Sequence, residues 1–87
     1  MRKKKVNLYH AKIKVLGQNY ESYGVSVLDA VGNLQVSKGR GMSVLEVSKG
    51  SEVRTKVLSP TMTMRLFHPS KMYQDMAYKN INSLFDI

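Results

Sequence analysis

The stretch YGVSVLDAVGNLQV, Tyr23 to Val36, decides how this chain is folded. Tyr23, Val25 and Val27 alternate with Gly24, Ser26 and Leu28. A period of two marks a half-buried strand. Asp29-Ala-Val-Gly-Asn33 then supplies turn residues and predicts a tight loop, and Leu34 and Val36 begin a further strand. Read this way, the stretch is a hairpin inside a meander of strands.

The flanks extend the pattern. Upstream, Tyr9, Ala11, Ile13 and Val15 alternate with His10, Lys12 and Lys14, which predicts a strand that turns at Gly17-Gln18-Asn19. Downstream, Lys38-Gly-Arg-Gly41 interrupts the third strand, a fourth runs from Met42 to Val47, and Lys49-Gly-Ser turns it. The fifth, Val53 to Leu58, sets Val53, Thr55 and Val57 against Arg54 and Lys56. Pro60 cannot donate to a ladder and marks a strand end. Met62, Met64 and Leu66 alternate again and predict a short sixth strand.

At His68-Pro69 the period changes. Met72, Met76 and Leu84 share one helical line, and Tyr73, Ala77, Ile81 and Phe85 the adjacent one. That predicts an amphipathic helix from Ser70 to Phe85, entered through Pro69. The expected fold is α+β: an antiparallel sheet of about five to six strands with one C-terminal amphipathic helix on one face. The expected organisation is a basic tail, 1–5, followed by a single small domain, 6–87.

Eighty-seven residues bury a small core. There is no cysteine, hence no disulfide and no catalytic thiol. A homodimer is expected, because association buries apolar surface that one small chain leaves open. No stretch approaches the roughly 18 apolar residues of a membrane span. The basic start is followed by an apolar run that Lys12 and Lys14 interrupt, unlike a signal peptide, so a cytoplasmic location is expected.

Charge is the dominant feature. Fourteen Lys and Arg against six Asp and Glu give a formal +8. Such a field attracts polyanions. The candidate phosphate contacts are Arg2, Lys3, Lys4 and Lys5 in the tail, Lys12 and Lys14 on the first strand, and Arg54 and Lys56 on the fifth. Lys38, Arg40 and Lys49 at turns would extend the grip. Tyr20 and Tyr78 break their local apolar patterns and are candidates for stacking on unpaired bases. Tyr9, Tyr23 and Tyr73 match apolar faces and are expected in the core, as are the methionines.

The tetrapeptide VSKG occurs twice, at 36–39 and 47–50. In a plain meander the copies fall at opposite ends of the sheet and serve as turns, with glycine admitting positive φ. The alternative is a mobile arm over 37–52 that wraps a phosphate backbone. No GxxxxGK[ST] or GxGxxG is present. The only histidines are His10 and His68, and the acids are scattered. No enzymatic activity, cofactor or metal is therefore expected.

The stretch Tyr23–Val36 resembles the central hairpin of the SpoVG septation-protein family: alternating apolar residues, an aspartate, a glycine-containing turn, then Leu-x-Val. The strand around Ala11-Lys-Ile13 and the His68-Pro69 helix entry follow that family's order. The resemblance implies a small dimer with a twisted sheet and a C-terminal helix that binds DNA or RNA.

The leading expectation is thus a non-enzymatic regulatory protein that binds DNA or RNA. The main alternative is a small phage-type inhibitor of a host protein's acidic or nucleic-acid-facing surface. A third is a basic subunit of a larger assembly.

Overall fold

Strand β1, Tyr9–Val15, follows the predicted alternation in the computed structural model, which describes residues 8–84 and side chains as far as Ile81. Ala11, Ile13 and Val15 are buried, whereas Lys12 and Lys14 are exposed on the opposite face. The chain turns one residue earlier than expected. Val15 pairs with Gln18 across a two-residue loop in which Leu16 and Gly17 have φ of 51° and 77°. Positive φ at both loop positions belongs to a type I′ turn, whose twist matches that of the flanking strands. Strand β2, Gln18–Gly24, pairs antiparallel with β1.

The decisive stretch is not a hairpin. After Gly24 the chain forms helix α1, Val27–Gly32, where strand and turn were expected. Ser26 caps it: its Oγ accepts from Asp29 N at 3.0 Å, and Asp29 Oδ2 accepts from Val25 N at 3.0 Å. Two donors at the helix start are thereby satisfied reciprocally, a close relative of the capping box. Val27, Ala30 and Val31 are buried at helical spacing. The same apolar residues satisfy both periods, and the Ser-x-x-Asp cap selects the helix. Leu34 and Val36 lie in a connection rather than a third strand.

Gly24 lets α1 fold back on β2. A Cβ there would stand 2.4 Å from Ala30 N. Ser22 Oγ donates to Ala30 O, and Asn33 Nδ2 donates to Tyr23 O at 2.8 Å, which ties the C-terminal half of α1 to the strand.

Strand β3, Ser43–Lys49, pairs with β1 on the side away from β2, and β4, Glu52–Leu58, pairs with β3. The result is one four-stranded antiparallel sheet in the order β2-β1-β3-β4. Lys49 pairs with Glu52, so Gly50 and Ser51 form the loop, with Gly50 at φ 61°.

The expected sixth strand is helix α2, Pro60–Leu66. Ser59 Oγ accepts from Met62 N at 3.1 Å, and Pro60 sits in the first turn, where its missing N–H is harmless. Thr63 and Leu66 are buried while Met64 is exposed, so helical spacing prevails over the apolar alternation. Ser43 Oγ and Thr63 Oγ1 share a buried hydrogen bond of 2.8 Å that joins β3 to α2.

Helix α3, Lys71–Leu84, occupies the predicted place. Ala77 and Ile81 are fully buried, but Met72 and Met76 are exposed, contrary to expectation. The packed face centres on Ala77 and Ile81, with Tyr78 half-buried against the core, whereas Tyr73, expected in the core, is half-buried against the His68 ring at 4.6 Å between centroids. Phe85 lies outside the described residues.

All helices that contribute to the core pack on one side of the sheet. That core joins Ile13, Leu45, Val47 and Leu58 from the strands to Val31, Leu66 and Ile81 from the helices.

Candidate nucleic-acid interface

The other side of the sheet is open among the described residues. Cross-strand register defines its three rows: Tyr23–His10–Ser48–Val53, Glu21–Lys12–Glu46–Thr55 and Asn19–Lys14–Val44–Val57. Lys12 and Lys14 therefore stand at the centre of the face, both exposed as expected. Lys12 lies directly opposite Glu21 on one side and Glu46 on the other. The face is mixed in charge rather than uniformly basic.

Arg54 and Lys56 do not join Lys12 and Lys14. They lie on the helix side of β4, half-buried, and Arg54 Nη2 stands 3.6 Å from Glu52 Oε2. The cause is register. Leu58 must point inward, where it is 1% exposed. With a side-chain period of two, Lys56 and Arg54 follow it and Val53, Thr55 and Val57 face outward. Val53 and Val57 are consequently exposed, Val57 directly beside exposed Val44 and Val53 beside Ser48.

Only the second copy of VSKG turns between strands, with Gly50 at positive φ; the first lies in the irregular connection from α1 to β3, so the plain meander expected over 34–58 is not formed. Lys49 closes β3, with its Nζ 4.8 Å above the Tyr9 ring. Lys38 and Arg40 precede the other end of that strand, at least about 20 Å away at a strand rise of ~3.3 Å per residue. The segment 37–52 is not a free arm, since Ser43–Lys49 within it is strand β3, paired on both sides, and Glu52 begins β4. Gly39 packs against Phe67, where an added Cβ would come within 2.6 Å of Phe67 Cβ. The tail residues Arg2, Lys3, Lys4 and Lys5 lie outside the described residues.

The aromatic residues are arranged differently from expectation. Tyr23 is exposed, 54%, because β2 turns Tyr20, Ser22 and Gly24 inward. Its ring stacks on that of His10 with centroids 4.3 Å apart and planes 5° from parallel. His10 Nε2 meets Glu21 Oε1 at 2.7 Å, which fixes the imidazole. The missed signal was the turn: placing it at Leu16-Gly17 sets His10 opposite Tyr23. Tyr20 and Tyr78 are half-buried. The Tyr20 hydroxyl is 3.2 Å from Ser37 Oγ. Burial, with a smaller contribution from Asp75, raises the Tyr78 hydroxyl above its ordinary value and keeps it a proton donor.

Chemistry at the remaining titratable groups is limited by their spacing. Among the described residues no three His, Asp or Glu side chains gather as a metal site. His68 is engaged at the entry to α3, where its Nδ1 accepts from Ser70 N at 2.9 Å. Among the described residues no helix is long and apolar enough to cross a membrane. Comparison with protein-family models, curated proteins and solved structures finds no match for the chain.

Proposed function

We propose that this protein is a non-enzymatic nucleic-acid binder that receives an unpaired strand on its open sheet face. The supporting observation is the exposed Tyr23 ring, pre-stacked on His10, beside the central Lys12 and Lys14. An aromatic ring held by a stacked neighbour loses little freedom when a base extends the stack. Each such base contact contributes on the order of 1–3 kcal/mol. The lysines neutralise the backbone, while the formal charge of +8 draws the strand in. Glu21 and Glu46 confine that attraction to the lines through Lys12 and Lys14.

The test is a salt titration of binding to mixed-sequence strands, single and double. Affinity must fall with salt through counterion release, by about 0.7 in log–log slope per contact on a single strand. Replacing Lys12 and Lys14 together with alanine should flatten the slope by about 1.4. Tyr23→Ala should weaken single-strand binding about tenfold at unchanged slope, the mark of a lost stack rather than a lost phosphate contact. Absence of detectable binding at low salt would remove this reading.

A second reading, a protein-binding inhibitor, is favoured by one specific feature. Val44 and Val57 sit side by side and Val53 lies further along β4, whose outer edge has no strand partner among the described residues. Arg54 and Lys56 alternate with those valines, so the edge suits an extended segment of mixed acidic and apolar character. The homodimer expected from chain length is a poorer fit there, because antiparallel pairing about Thr55 would set Arg54 against Lys56. Light scattering decides the stoichiometry.

A further inference from the structure

Two cavities open near the end of the sheet where the Leu16-Gly17 turn lies. The larger, about 450 Å³, is lined by Leu34, Gln35, Phe67, Gln74 and Tyr78 together with Ser37. The smaller, about 370 Å³, is lined by Leu16, Gln18, Tyr20 and Lys38, again with Ser37. Ser37 thus stands between them, held by its bond to the Tyr20 hydroxyl. The chain beyond Ser37 is pinned on both sides, with Gly39 against Phe67 and Gly41 near Leu16 Cδ2. That fixes exposed Lys38 and Arg40 close to the junction.

The linings limit the ligand. Neither contains an acid, and Lys38 is the one charged residue in either. A cationic ligand has no counter-charge here. Each cavity has one tyrosine, and the larger adds Phe67. Uncharged hydrogen-bonding groups surround these rings: Gln35, Ser37, Gln74 and the Tyr78 hydroxyl. Gln74 donates its Nε2 to His68 O, which leaves Oε1 to accept. Flat, uncharged groups with donors and acceptors on their edges, joined by an anionic link, match this arrangement. Cavities of this size are adequate for a small heterocycle.

We infer that the paired cavities seat two successive unpaired bases of a nucleic-acid strand, one beside Tyr20 and one beside Tyr78, with the linking phosphate against Lys38. This rests on the nucleic-acid reading above and adds a second site to it, separate from Tyr23, Lys12 and Lys14. The arrangement would explain why stacking candidates and a basic residue far apart in sequence converge on one groove.

An NMR titration tests it with three probes: a ten-residue thymidine strand, the same backbone without bases, and adenosine monophosphate. The thymidine strand should shift the side-chain amides of Gln35 and Gln74 and the backbone amides of 37–40. The abasic strand should bind about a hundredfold more weakly or worse, as expected for at least two lost base contacts. Tyr78→Phe combined with Gln35→Ala should weaken the thymidine strand severalfold and leave the abasic strand unchanged. If the thymidine strand binds with shifts confined to the neighbourhood of Lys12, Lys14 and Tyr23, the groove inference falls and the proposed function stands. If the monophosphate binds as tightly as the strand, the cavities belong to free nucleotides and the strand assignment is overturned. If no probe binds at low salt, both readings fall together.

Discussion

The two faces of β1 carry opposite kinds of residue. On one side Ala11, Ile13 and Val15 are at most 2% exposed and belong to one core with apolar residues from all three helices. On the other, a single residue away along the chain, Lys12 and Lys14 stand in solvent. The inner face is constrained by volume, down to the absence of one methyl at Gly24. The outer face is constrained by charge and by what may land on it. Substitutions should therefore affect folding on one face and binding on the other.

The largest effects are expected inside. Leu45, fully buried between β1 and β4, should lose about 2–5 kcal/mol of stability as alanine, read from denaturant melts. Ile81→Ala on α3 belongs to the same class, whereas Met76→Ala, on the helix's exposed side, should change little. Comparable losses at Ile81 and Met76 would mean that the outer side of α3 is also covered in solution.

Gly24→Ala comes next. Its new Cβ would meet the backbone of Ala30 and Asp29, which no rotamer change can relieve. A loss of about 1–3 kcal/mol or more is expected. A neutral result would show that α1 does not rest on β2 as described.

Leu16 tests the turn that sets the register. A leucine at φ 51° is strained, and asparagine tolerates that region far better. Leu16→Asn should raise stability by up to about 1 kcal/mol. A destabilised variant would indicate that the exposed leucine side chain contributes packing near Gly41 that outweighs the backbone strain.

The smallest folding effect belongs to the outer face. Lys12→Ala and Tyr23→Ala should each shift stability by less than about 0.5 kcal/mol. Thermal melts beside the salt titration separate the two faces. Large folding losses from either variant would make the open face a structural surface rather than a binding one.

Legibility in the sequence followed the strength of the local pattern. β1, β3, β4 and α3 were placed within a few residues, because their apolar periods admit one reading. The stretch 23–36 and the segment Pro60–Leu66 were read as strands because Val25-Ser-Val27 and Met62-Thr-Met64 alternate. The first holds helix α1 at its centre and the second is helix α2, and in each case a serine cap marks the start: Ser26 ahead of Asp29, and Ser59 ahead of Pro60. The basic residues were found from composition alone, but not the face each would occupy.

By itself, the sequence determined a basic chain of mixed α and β structure with a terminal amphipathic helix and a strand bearing alternating lysines. These follow from charge counts and from periods that a single element satisfies locally. Only the tertiary structure decided that Arg54 and Lys56 lie across the sheet from Lys12 and Lys14, that Tyr23 faces outward onto His10, and that the cavity beside Tyr20 and Lys38 meets the one beside Tyr78 at Ser37. The physical reason is that alternation assigns residues to two faces without saying which is inside. That choice is made by the buried partners: Leu58 beside α2, and Gly24 under α1.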